Sequence, residues 1–184
     1  MIDSKEASEA LSDIDDMVRR VRQSRIYDIA SQFMILWGVL VFAGNIATWF
    51  WPREGNYVWI AVNVVGLAGM FAISALTQSR TGVRSFDLRV LMAYVLFFAF
   101  GYFCSTVLGH FTPRQQGTFW PIYFMLFYSM AGLWFGYAFI AIGVCISALT
   151  LIGYYFVVGF SFLPWMALVN GGGLILGGLW MRRS

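Results

Sequence analysis

The sequence predicts an all-α, polytopic membrane helix bundle of six transmembrane helices, arranged as three hairpins and preceded by a cytoplasmic amphipathic helix. Three observations carry that expectation. Of the 184 residues, 60% are hydrophobic, 19% aromatic and only 11% charged, a surface that water could not solvate in a soluble domain. Apolar runs of about 20 residues recur, the length a helix needs to cross a hydrocarbon core about 30 Å thick. The arginines between those runs fall almost entirely on alternate connections.

The segment before the runs comes first in the chain. Residues 1–29 are polar and hold no apolar core of the length that a signal peptide requires, so they are expected to remain attached. Ala7, Leu11, Ile14, Val18 and Val21 recur at spacings of four, three, four and three, one apolar stripe on a helix over about 4–27. Asp3 with Glu6 resembles a cap at its start. Charge is graded along it, from Glu6, Glu9, Asp13, Asp15 and Asp16 to Arg19, Arg20, Arg22 and Arg25, which suits the helix dipole. Asp15 with Arg19 and Asp16 with Arg20 add four-apart pairs. The stripe reads either as a docking face for a second copy or a protein partner, with its basic end against anionic headgroups, or as an interfacial helix that only precedes the first span.

Residues 30–184 form the membrane domain, with spans expected near 31–51, 57–77, 89–110, 118–136, 138–159 and 162–181. The stretch from Phe119 to Met181 has no charged side chain, and three spans fill it if the chain turns near Gly132 to Tyr137 and near Gly159 to Pro164. Charge gives the same count. Six spans put Lys5, Arg19, Arg20, Arg22, Arg25, Arg80, Arg84, Arg89, Arg182 and Arg183 on one side and only Arg53 and Arg114 on the other, so both termini are expected in the cytoplasm. Trp49, Trp51, Tyr57, Trp59, Trp120 and Trp165 then fall at outer helix ends, and Trp134, Tyr137 and Trp180 at inner ends, as an aromatic belt. Trp37 alone lies deep in a span, a packing or ligand-facing residue.

Each outward connection holds a proline followed by a tryptophan: Pro52 with Trp59, Pro113 with Trp120, and Pro164 with Trp165 at a shorter spacing. The first helix of each hairpin places a glycine four residues before a hydroxyl, as Gly44 with Thr48, Gly101 with Ser105 and Gly143 with Ser147. Gly132 with Gly136 and Gly173 with Gly177 match the small-residue pattern of close helix packing, in about the number chance supplies.

Chemistry is scarce. None of the nine acidic residues falls in a span, which argues against a proton relay, and a single histidine, His110, cannot supply a two-histidine haem site. Cys104 and Cys145 lie in different spans and read as small buried apolar residues rather than a redox or zinc pair. No nucleotide loop or hydrolase motif is present, so neither cofactor, metal, nucleic acid nor enzymatic activity is expected. The polar side chains left in the spans are Asn45, Asn63 and Asn170 with Thr48, Ser105 and Ser147, which form a candidate intramembrane cluster. Asn170 precedes Gly171, Gly172 and Gly173, where the helix could break. These amides read as interhelical hydrogen-bond partners or as the lining of a neutral solute site.

The stretch Glu9-Ala-Leu-Ser-Asp-Ile-Asp-Asp-Met-Val-Arg-Arg20, leading into Ile35-Leu-Trp-Gly38, resembles the start of small six-span bacterial inner-membrane proteins of unassigned activity. It covers under a quarter of the chain, and it implies a location in the bacterial inner membrane with no activity to carry over. Two function classes follow. The first is a scaffold, sensor or accessory subunit that docks a partner through residues 4–27 while surrounded by membrane lipids; the second is a channel or transporter for a small neutral or lipid-like solute.

Overall fold

A computed structural model describes residues 4–81 and 88–183; before Ile26 it describes side chains only at Asp13, Ile14, Met17 and Ser24, and it leaves out those of residues 80–90. The described residues are helical apart from short connections, with no strand among them. Helix α1, Ser4–Phe50, is a single rod of 47 residues. A turn at Pro52–Glu54 leads into α2, Gly55–Thr81. Helix α3, Leu88–Tyr102, continues as π turns over Phe103–Leu108. Helices α4, Pro113–Phe135, and α5, Tyr137–Phe156, form a hairpin. The chain ends in a composite helix: α6, Phe162–Met166, a π segment, Ala167–Gly172, and α7, Gly173–Met181.

The helix expected over 4–27 and the span expected at 31–51 are therefore one element, and the boundary at 29/30 falls inside it. Tyr27-Asp-Ile-Ala-Ser31 has no glycine or proline to stop the helix. Asp28 ties the junction, its carbonyl accepting from Ser31 Oγ at 2.8 Å and its carboxylate from Gln32 Nε2 at 3.3 Å.

Among the described residues, five segments are long and apolar enough to cross a membrane: Ile26–Phe50, Pro52–Ser79, Leu91–Leu108, Tyr137–Phe156 and Gly159–Met181. Helix α4 coincides with the span expected at 118–136 but is not among the five. Its 23 residues are long enough, and its polar first turn, Arg114-Gln115-Gln116, with its tyrosines and tryptophans, lowers its hydropathy. The other expected spans agree with the helices to within a few residues.

Glycine sets how closely these helices approach. A side chain at Gly38 would meet the carbonyl of Gly171 at 2.8 Å, and one at Gly178 would meet that of Ser31 at 2.9 Å. Gly38 thus lies against Gly171 and Gly178 against Ser31, so the composite helix runs antiparallel to α1 and ends beside the start of its apolar half. Gly173 and Gly177 point elsewhere, onto Ile146 and Ile142 of α5. Of the other four-apart pair, Gly132 packs on Ile140, whereas Gly136 is the one-residue turn between α4 and α5 at a φ of 130° that glycine alone adopts without strain.

Around these contacts lies one core, built from Tyr27 and Met34 of α1, Met125 of α4, Phe139, Ile142 and Ile146 of α5, and Val169, Leu174 and Met181 of the composite helix. Tyr27 meets Phe139 edge-on at 5.8 Å. Helix α2 joins α1 through Trp37, which fills the space over Gly66 and donates from Nε1 to Met70 Sδ at 3.2 Å, so this deep tryptophan is a packing residue. Helix α3 is held to α4 by rings: Phe97 stacks on Tyr123 at 4.0 Å and Phe98 on Trp120 at 4.8 Å. The expected belt accordingly divides. Trp51, Tyr57, Trp134 and Tyr137 are exposed, whereas Trp59 packs on Gly44, Trp120 on Gly101 and Trp165 on Gly153.

Candidate functional site

The six polar residues singled out from sequence do not form one cluster, and five of them have separate hydrogen-bond partners. Asn45 Nδ2 donates to the Val41 carbonyl at 2.9 Å and Thr48 Oγ1 to that of Gly44 at 2.7 Å, both one turn back in α1. Asn63 Nδ2 donates to the Trp59 carbonyl at 2.8 Å, and its Oδ1 accepts from Tyr94 Oη of α3 at 3.4 Å. Ser105, fully buried, donates to the Tyr102 carbonyl at 3.4 Å within the π turns. Ser147 is half-buried on α5. Back-bonding of this kind satisfies a polar group in hydrocarbon without any partner helix.

Asn63 reaches a second helix through Tyr94, and Asn170 reaches one through Thr150. The Oδ1 of Asn170 accepts from Thr150 Oγ1 of α5 at 3.1 Å, and its Nδ2 donates to Met166 Sδ at 3.3 Å, with both residues buried. The glycine run after it does not interrupt the chain. It winds as π turns instead, which bring Gly171 against the backbone of Phe42. The pair therefore bridges α5 and the composite helix. In a double-mutant cycle of Thr150→Val and Asn170→Ala, the coupling energy read from unfolding in detergent is expected at about 0.6 to 1.7 kcal/mol, the range of interhelical bonds inside membranes. Strict additivity of the two substitutions would show that the bond contributes nothing.

Thr150 was legible in principle, since Gly143, Ile146, Thr150 and Gly153 recur at three, four and three and are all buried.

Arg114 was placed by sequence only as a cation on the outer side. Thr112 caps α4 reciprocally with Gln115, donating from its backbone N–H to Gln115 Oε1 at 2.9 Å, which fixes the first turn. From that turn Arg114 Nη2 donates to the carbonyls of Tyr154 at 2.7 Å and Val157 at 2.6 Å, and its guanidinium lies 4.7 Å from the centre of the Phe162 ring. The cation therefore caps the C-terminal end of α5, where carbonyls lack helical partners and the dipole is negative.

His110 is exposed with φ at 47°, ending the π turns as Phe111 N–H donates back to the Ser105 carbonyl at 2.9 Å. Cys104 is half-buried and Cys145 exposed, so neither is the buried apolar residue expected. Exposure of Cys145 on an apolar helix costs nothing where the surroundings are lipid. Among the described residues no group of histidine, cysteine and carboxylate side chains could hold a metal ion.

Of the docking stripe, Ala7, Leu11, Val18 and Val21 have side chains outside the described set. Ile14 is 57% exposed, and Met17, three residues further on the flank of the same face, is 64% exposed. Met17 was not part of the sequence stripe. Comparison with family models, curated proteins and solved structures finds no match to this chain.

Proposed function

We propose that this chain is a six-span inner-membrane scaffold, sensor or accessory subunit that docks a partner through its N-terminal helix. The observation that carries the reading is the length of α1. Its 47 residues exceed the 25-residue apolar span Ile26–Phe50 by 22, about 33 Å of helix ahead of that span. An apolar face with Ile14 and Met17 exposed, about 18 and 14 Å along the helix from Ile26, is a partner site, because solvated apolar side chains are stabilised by burial. Continuity with the first span makes the projection a rigid lever.

Six crossings, with both ends in the cytoplasm, fit the charge pattern and the antiparallel packing of α1 against the composite helix. For the remaining crossing, α4 is about 34 Å long, packs on α5 and turns Trp120, Tyr123 and Tyr128 toward ring partners.

The reading is tested by crosslinking in intact cells from a photoreactive residue at Met17. A single discrete adduct is expected, lost on Ile14→Asp while the protein stays in the membrane at wild-type amount. Adducts to many proteins, or an adduct indifferent to Ile14→Asp, would argue for an idle interfacial helix.

A further inference from the structure

Charge along the projecting part of α1 describes the partner it fits, an inference that rests on the docking role proposed for that helix. The charges separate by position along the backbone. Lys5 against Glu6, Glu9, Asp13, Asp15 and Asp16 leaves residues 4–16 with four negative charges, and Arg19, Arg20, Arg22 and Arg25 give residues 17–25 four positive ones. The two groups are centred about ten residues apart, or about 15 Å along the axis. Paired helices lie about 8 to 10 Å apart, and exposed charges at physiological salt are screened over about 8 Å. A helix packed beside α1 therefore meets each half separately.

The continuity of α1 decides which helix matches. Because Ser4–Phe50 is one helix that runs into the apolar span, copies inserted alike in one membrane all point their arginines at the bilayer. A second copy then pairs in parallel, acidic half against acidic half and basic against basic, and like charges side by side oppose association. A helix free of the membrane can lie antiparallel, which opposes the two helix dipoles; an acidic first half and a basic second half are also the order that its own dipole favours. We infer that the face carrying the exposed Ile14 and Met17 takes an amphipathic helix of a cytoplasmic protein, antiparallel to α1, acidic in its N-terminal half beside Arg19 to Arg25 and basic in its C-terminal half beside Glu6 to Asp16.

The test extends the crosslinking from Met17 in intact cells, with the adduct sized on a denaturing gel and its site on the partner mapped by peptide mass spectrometry. Lack of a discrete adduct sinks the docking role itself, whereas a discrete adduct of twice the chain's mass means a second copy and overturns this inference alone. The expected adduct lies on a helix of another protein with the stated order of charge. Asp13→Asn, Asp15→Asn and Asp16→Asn together remove three exposed pairs and should weaken the complex about tenfold, read as loss of most of the adduct. A parallel second copy would gain from the same changes. Acidic residues contribute little to membrane orientation, so the variant should insert normally. If it falls below wild-type amount, Glu6→Gln with Glu9→Gln is judged by the same direction of change. A photoreactive residue at the exposed Ser24, seven residues toward the membrane on the same flank as Met17, should mark the partner about seven residues nearer its N-terminus than Met17 does. Marks in the reverse order, an adduct unchanged or strengthened in the neutral variants, or a crosslinked segment without that charge order overturns the inference.

Discussion

Replacement of Arg114 by alanine is expected to lower the thermal midpoint of the detergent-purified protein by about 6 to 12 °C. Its guanidinium donates to two carbonyls at the end of α5, at 2.7 and 2.6 Å. Each bond from a charged donor contributes about 1.5 to 3 kcal/mol, and the alanine variant leaves the two acceptors in an apolar setting without a partner. A net loss near 3 kcal/mol, at about 2 to 4 °C per kcal/mol for a chain of this size, gives the stated shift. Lysine should restore less than half, because one ammonium on a flexible stem cannot hold two carbonyls and stack on Phe162 with the geometry of a planar fork. A midpoint within 2 °C or so of wild type for Arg114→Ala would mean that water or headgroups satisfy those carbonyls equally well.

The second large effect is expected at Gly171. A methyl group there would lie 2.5 Å from Cβ, 2.6 Å from Cα and 2.7 Å from the backbone nitrogen of Phe42, and backbone atoms cannot rotate aside. Gly171→Ala must separate the first and last spans, at a cost of about 1 to 3 kcal/mol from overpacking, and Gly171→Val more. Gly172 is the control. An added Cβ there meets nothing within 4 Å, so Gly172→Ala should be neutral or stabilise by up to about 1 kcal/mol through helix propensity. Equal effects at the two positions, measured by unfolding in detergent, would refute the close approach.

How much of this was legible follows from what each signal depends on. Hydropathy and loop charge report the surroundings of a helix, so the apolar segments and their ends were readable to within a few residues. The length of α1 was not read as one rod, because periodicity divides it where the apolar stripe gives way to an all-apolar span, although nothing near Asp28 breaks the helix. Partners across helices depend on rotation and register, which composition does not encode. Asn170 was visible as a polar residue in need of a partner, but that Thr150 supplies it emerges only when α5 and the composite helix are side by side. The same holds for the glycines: Gly173 and Gly177 were noticed for their spacing, while Gly171 and Gly178, seven apart, make the contact with α1. In the proposed orientation Arg114 departs from the charge rule, for a reason that the rule cannot contain: its charge belongs to a helix end rather than to the surface.

The central claim is an even number of crossings with the projecting helix and the tail on the cytoplasmic side. It is tested most directly by labelling single cysteines at Ser12, Arg53 and Arg183, with Cys104 and Cys145 replaced by alanine, using a membrane-impermeant maleimide on spheroplasts. The account predicts labelling at position 53 in intact spheroplasts, and at positions 12 and 183 only after lysis. Labelling of position 183 from outside while position 12 stays protected would contradict it.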